Sequence, residues 1–129
     1  MKESAKYLNI VNAERMGQLR QEIEHILVYQ KKYKDKDFSC RRLAAELQVN
    51  TRYVSVVLRE AFGMNYSQLV NHLRIDEAKA LLHDPEMQQL RMEDVGDMVG
   101  FLTRQSFQLT FSRMVGMTPL QYRNHERRI

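Results

Sequence analysis

The sequence predicts an all-α fold of about seven helices. Three observations carry that expectation. Apolar residues recur at helical spacing almost throughout the 129 residues, and no strand-like alternation competes. Cap residues and glycine stops bracket most of the apolar runs. The boundaries themselves repeat: Asn50 and Thr103, both suited to cap a helix, stand 53 residues apart, and Gly63-Met64 recurs at the same offset as Gly116-Met117.

In chain order, a first long helix is expected from a cap near Asn12 to about residue 32. Glu14 lies in its first turn, where a negative charge suits the helix dipole. Its apolar stripe is Met16, Leu19, Ile23, Ile26 and Leu27. The charged run "KKYKDKDF" ends it. Ser39 caps a short second helix with Leu43, Ala44 and Leu47 inward. Asn50 caps the third, which stops at Gly63, a natural left-handed position. This third helix carries Val54, Val56 and Val57, β-branched residues that favour helix little. Packing rather than propensity must hold it. The fourth spans roughly 66–83 with Leu69, Leu73, Ala78, Leu81 and Leu82 inward, until Asp84-Pro85 in "HDPE" breaks it. A short fifth helix covers about 91–99. The sixth runs from a Thr103 cap to Val115 and stops at Gly116. The last begins at "TPLQY", with Thr118 as cap and Pro119 at the first helical position.

The 53-residue offset also relates Val54 to Phe107 and Leu58 to Phe111, while "LAAELQV" lines up with "VGDMVGF" at an offset of 52. The second copy therefore has one extra residue in its turn. Short helix, tight turn and capped helix occur twice, joined by one long helix: two helix-turn-helix units. The expected division is residues 1–37 as an N-terminal segment whose amphipathic helix packs on or leads into the domain, 38–84 as the first unit plus linker helix, and 85–129 as the second unit plus C-terminal helix.

At about 100° per residue, Val54, Val57, Leu58 and Ala61 share one face of the third helix. The opposite face holds Arg52, Ser55, Val56 and Arg59. In the sixth helix Phe107, Thr110, Phe111 and Met114 point inward, while Gln105, Gln108, Leu109 and Ser112 point out and Arg104 sits at the edge. Such outward sets suit a DNA major groove. Arg pairs with guanine O6 and N7, Gln with adenine N6 and N7, and an apolar tip meets the thymine methyl. The main-chain amides beside Asn50 and Thr103 can hold a phosphate. A solvated polar face is equally normal on any single helix; two copies in one frame favour the groove-reading role.

Composition bounds the rest. The formal charge of +4 supports an acidic partner only weakly. Cys40 is the sole cysteine, so no internal disulfide forms, and His25, His72, His83 and His125 lack ligand spacing for a metal. No Gly-rich phosphate loop or nucleophile motif is present, and neither an enzyme nor a cofactor, metal or small-molecule site is expected. There is no apolar run of about 18 residues and no signal-like N-terminus, so a cytoplasmic protein without a membrane span is expected.

Together, "RRLAAELQVNTRYVSVVLREAFGMNYSQLVNHLRIDEAKALL" and "VGDMVGFLTRQSFQLTFSRMVGMTPLQYR" resemble the DNA-binding domain of AraC/XylS-type bacterial transcription regulators over residues 38–124. The resemblance implies seven helices in a homeodomain-like double helix-turn-helix with a rigid linker helix. Its two recognition helices enter successive major-groove segments, which recur about every 34 Å. Carried onto this sequence, it implies that Thr51, Arg52, Ser55 and Val56 of the first recognition helix, and Arg104, Gln105, Gln108 and Leu109 of the second, read bases. Asn50, Arg59, Thr103 and Arg113 are phosphate candidates. Arg41, Arg42 and Arg123 are further cations that alone read as solvated charges. Arg74, in "RIDEAKALL", reads as structural, with Glu or Asp partners. The departures from the family are Leu58 for an aromatic, Leu69 for Tyr, Arg91 in a cap slot, a longer "HDPEMQQLR" connector, and Gly96 for Ala. The last is expected to cost about 1 kcal/mol of helix stability.

The function expected is sequence-specific binding of double-stranded DNA in transcription regulation. RNA polymerase or a separate sensor domain are the further partners expected. The alternative is a helical protein-interaction module that docks through helix 12–32, using its apolar stripe as a seam.

Overall fold

The computed structural model describes the backbone of residues 2–127 and the side chains of residues 13–125. Helix α1 (Lys2–Glu24) runs directly into one π-helical stretch (His25–Tyr29), followed by a 3-10 turn (Lys32–Lys34). Then come α2 (Cys40–Leu47), α3 (Thr51–Phe62), α4 (Tyr66–His83), a 3-10 turn (Pro85–Met87), α5 (Met92–Val99), α6 (Arg104–Val115) and α7 (Pro119–Arg127). No strand occurs among the described residues.

Local chemistry explains most boundaries. The Ser39 hydroxyl accepts the Arg42 amide (3.1 Å) at the start of α2, and the Asn50 Oδ1 accepts the Tyr53 amide (2.7 Å) at the start of α3. The Thr103 Oγ1 accepts the Ser106 amide (3.0 Å) before α6. At α7 the cap is reciprocal: Thr118 Oγ1 accepts the Gln121 amide (3.1 Å), and Gln121 Oε1 accepts the Thr118 amide (2.9 Å). Gly63, Gly100 and Gly116 end α3, α5 and α6 in the left-handed region. Arg91 stands at the cap of α5, but a guanidinium cannot accept a bond from the helix amides. Asp94 supplies the bond instead, accepting the Arg91 amide at 3.2 Å while pairing with the guanidinium. That pairing holds the Asp94 carboxyl below its ordinary range.

Three boundaries differ from the sequence reading. Helix α1 already runs through residue 12, because nothing before Gly17 breaks a helix and Lys, Glu, Ala and Leu propagate one. The side chain of Asn12 lies outside the described residues. The helix ends near Tyr29 rather than residue 32, through a wide turn in which the Gln30 amide reaches back five residues to His25 O (2.9 Å), followed by Lys31 at φ 55°. Finally, Gln48 turns the chain after α2 at φ 58°, where the second copy uses a glycine.

The chain forms two compact units. The first comprises Met1–Lys32 and Phe38–Ser67; the second comprises Tyr33–Asp37 and Gln68–Ile129. The boundaries differ from those drawn at 37/38 and 84/85. The α1 stripe packs into the first unit's core, and most of α4 belongs to the second. In the first unit, α1 packs on α2 and α3. Leu19, Ile23, Ile26 and Leu27 are buried together with Phe38, Leu43, Ala44, Leu47, Val54, Val57 and Leu58. Each such aliphatic side chain contributes about 1.5–3 kcal/mol on full burial. The stripe that a docking helix would need is thus spent on this unit's own interior.

In the second unit, Ile75, Ala78 and Leu82 of α4 meet Val95 and Val99 of α5, Phe101, and Phe107 and Phe111 of α6. Within α4, Val70 and Ile75 are buried, whereas Leu73 and Leu81 are half-buried. Aromatic rings link the layers: Phe101 to Phe107 at 5.4 Å, Phe107 to Phe111 at 5.8 Å, Phe111 to Tyr122 at 5.5 Å, and Tyr122 stacked on His83 at 4.6 Å. Gly96 belongs to this packing. A Cβ there would sit 2.7–2.9 Å from three atoms of the fully buried Phe107 side chain. The glycine is therefore required by the ring and is not a simple loss of helix propensity. Tyr33 is buried, and its hydroxyl donates to Glu77 Oε2 (3.3 Å). Burial and the Glu77 carboxylate together push that hydroxyl from 10.0 up to about 12.

Two outcomes follow from this core. Gly96→Ala should lower the melting temperature by several degrees, because overpacking costs about 1–3 kcal/mol and outweighs the roughly 1 kcal/mol helix gain; thermal denaturation followed by circular dichroism reads the sign. Tyr33 favours the protonated fold, so its contribution to stability is complete below pH 10 and disappears as pH rises to about 12. Alkaline denaturation of Tyr33→Phe should lack that part of the pH dependence.

Candidate nucleic-acid interface

Helices α3 and α6 have the same length, the same type of cap and the same type of stop. The buried faces hold them to their units: Val54, Val57 and Leu58 in one, Phe107, Thr110 and Phe111 in the other. Ala61 and Met114 lie half-buried at the edges. What remains outward is what the repeat indicated. Thr51, Arg52, Ser55, Val56 and Arg59 are exposed on α3. Arg104, Gln105, Leu109 and Arg113 are exposed on α6, and Gln108 is half-buried.

Val56 and Leu109 stand at equivalent positions, and they are 50% and 64% exposed. An apolar side chain left in water at the same place on two otherwise polar faces is suited to an apolar contact in a bound partner, such as a thymine methyl. The electrostatics agree with a polyanionic partner. Helix α6 contains no carboxylate, and α3 contains one, Glu60, exposed four residues after Val56.

Several proposed site residues are already engaged within the fold. Asn50 and Thr103 spend their side chains on capping, each taking the third helical amide. The first two amides of each helix have no partner four residues back, and these are the groups able to meet a phosphate. Ser55 donates its hydroxyl to Thr51 O (3.1 Å) and lies against the Cys40 thiol, which burial pushes up. It therefore offers a base mainly its oxygen as acceptor. Arg59 and Arg113 fall in the last turns of α3 and α6, where a cation also complements the helix dipole.

Other arginines are structural. Arg123 donates to Gln88 O (3.2 Å) and Leu90 O (2.8 Å), tying α7 to the connector before α5. Arg42 lies over the Phe38 ring at 5.7 Å. Arg74 is structural as expected: its Nε donates to the Tyr33 carbonyl (2.8 Å) and its guanidinium stands 5.6 Å from the Phe101 ring.

The extra residue of the second turn is Leu102, directly before the Thr103 cap and 72% exposed. The sequence held the signal, since the offset changes from 52 to 53 at this point, but the leucine itself was not singled out. Among the described residues, no three His, Cys, Asp or Glu side chains gather to hold a metal ion, and no helix is long and apolar enough to cross a membrane.

A sequence profile described as a helix-turn-helix domain matches residues 43–125. The melibiose operon regulatory protein of Escherichia coli (strain K12) is 28% identical over 89 residues, covering 69% of this chain and 28% of that protein. The chain thus spans well under two thirds of that relative. Among solved structures, the C-terminal domain of the two-component response regulator yesN from Fusobacterium nucleatum superposes with a TM-score of 0.73 at 26% identity, covering 81% of this chain and 96% of that one. The DNA-binding domain of AdpA, a global transcriptional factor solved in complex with a target DNA, gives 0.70 at 20% identity over 87% and 92%. At that identity the likeness is one of fold.

Proposed function

Because the chain belongs to the AraC-type helix-turn-helix family, we propose that it is a sequence-specific, double-stranded-DNA-binding regulator of bacterial transcription. The observation that carries this reading is the pair of outward faces on α3 and α6. They are in one register, nearly free of carboxylate, and each bears an exposed aliphatic residue among Arg, Gln, Ser and Thr. The AdpA domain, which shares the fold, was solved on a target DNA.

Affinity comes mainly from phosphate contacts and the counterions they release, so binding weakens as salt rises. Arg59, Arg113 and the helix N-termini at Asn50 and Thr103 are the groups proposed for that work. Specificity comes from base edges. Arg52, with Thr51, Ser55 and Val56, serves one groove segment; Gln105, with Arg104, Gln108 and Leu109, serves another. Control reaches such a module through a separate sensor domain or through RNA polymerase, and its place of action is the cytoplasm.

Selection from a random duplex library, read by sequencing, tests the function. A motif in two blocks about one helical turn apart is the expected result; absence of any enrichment at low salt would overturn the proposal. Arg52→Ala and Gln105→Ala test the faces. Each should lose roughly 1–3 kcal/mol of discrimination at one site position, in different blocks, with little change elsewhere. Unchanged sequence preference in both variants would show that other residues read the bases.

A further inference from the structure

Residues Tyr33–Asp37 come before the first helix-turn-helix, yet they are part of the second unit. There the segment lies on the turn from which α6 departs. A Cβ on Gly100 would meet Tyr33 O at 2.4 Å and Lys34 Cα at 3.0 Å, so the strap passes directly over that glycine. Arg74 Nε donates to the same Tyr33 carbonyl (2.8 Å) while its guanidinium stands 5.6 Å from the Phe101 ring, one residue further along the turn. Glu77 receives both the Tyr33 hydroxyl (3.3 Å) and the Lys34 ammonium (3.2 Å). Lys36 pairs with Asp97, on α5 and three residues before Gly100. The five-residue strap is thus bound to α4, to α5 and to the turn itself.

The first copy has a different turn. Gln48 takes the left-handed position there, and its side chain is exposed. The second turn also has the extra residue, Leu102, between Phe101 and the Thr103 cap. A longer turn has more ways to launch the following helix unless something outside it restricts the choice. The strap covers the turn at Gly100, and Arg74 grips it at Phe101.

We propose that segment 33–37, held by Arg74 and Glu77, is a positioning element for the second reading helix: it sets the direction in which α6 leaves the Gly100–Phe101 turn, so base preference in the α6 block depends on residues that precede the first helix-turn-helix. This rests on the reading that α6 contacts bases. Arg74 and Glu77 act through the strap and the turn.

A purely stabilising role and a positioning role leave different traces. Loss of stability lowers the fraction of folded protein, which scales every affinity equally and leaves ratios between matched and mismatched duplexes unchanged. Misdirection of α6 changes the ratios for its own block. The experiment is library selection with the full chain as parent, as Arg74→Lys and as Glu77→Gln, followed by matched-to-mismatched affinity ratios in each block and a melting curve for each protein. Arg74→Lys removes the Nε donor and the planar group over Phe101; Glu77→Gln removes the charge shared by Tyr33 and Lys34 and serves if Arg74→Lys does not fold. The expected result is a loss of about tenfold in discrimination in the block that Gln105→Ala also affects, with the Arg52 block unchanged. Ratios preserved in both blocks, or falling together in both, would overturn the inference. A parent chain that selects no motif would instead remove the DNA-reading proposal on which it rests.

Discussion

The close approach of Phe107 to Gly96 is the contact on which the second half of the molecule depends. The ring occupies the space that any side chain at position 96 would need, so α6 lies closer to α5 than an alanine would allow. From that seat Phe107 reaches Phe101 on one side and Phe111 on the other, and Phe111 carries the contact on to Tyr122 of α7. One face of α6 is thereby fixed inward, and geometry alone turns Gln105, Gln108 and Leu109 away from the core. The first copy solves the same problem with other volumes. The residue equivalent to Gly96 is Ala44, and the one equivalent to Phe107 is Val54; both are buried. A methyl gained on one helix accompanies a ring lost on the other, as close packing requires.

Much of this was legible in the sequence, for a local reason. A cap, a stop and an apolar stripe each act within one or two turns, so Asn50, Thr103, Gly63, Gly116 and the span of α4 could be read directly. The outward faces were legible because the repeat supplied a second register against which to check the first. The features that escaped depend on distant residues or on none. Gly96 seemed a cost because propensity counts only the helix, whereas Phe107, eleven residues on, decides it. Helix α1 begins early because nothing stops it, and an absent stop sends no signal. The left-handed Gln48 is set by the turn between α2 and α3 and not by its own preference. Charge on a side chain likewise did not disclose its use: Arg123 reads as a solvated charge but holds the backbone carbonyls of Gln88 and Leu90.

Two copies of one backbone plan allow two chemistries. In the first, Arg52 leads a face suited to guanine; in the second, Gln105 and Gln108 lead a face suited to adenine. The caps and stops are nearly interchangeable between copies, so changes of sequence preference need not disturb folding. The aliphatic tips of Val56 and Leu109 are shared by both, although they gain nothing in water. Their exposure at matching positions supports the proposed partner-facing role of this surface more than the charges do.

The strap makes the order of the chain differ from the order of the fold. A polypeptide growing from its N-terminus releases Tyr33–Asp37 well before Arg74, Asp97 and Gly100 exist to receive them. The 63 residues from Asp37 to Gly100 take about 3–13 s to add at roughly 5–20 residues per second. Once Ser67 has been added the first unit has all of its own sequence and can close, while Tyr33, a residue destined for burial, stays in water on the loop between α1 and α2. The second unit is therefore begun before the first is complete and is the last to be finished, and a nascent chain halted at the end of α3 presents an open aromatic loop that the finished protein conceals.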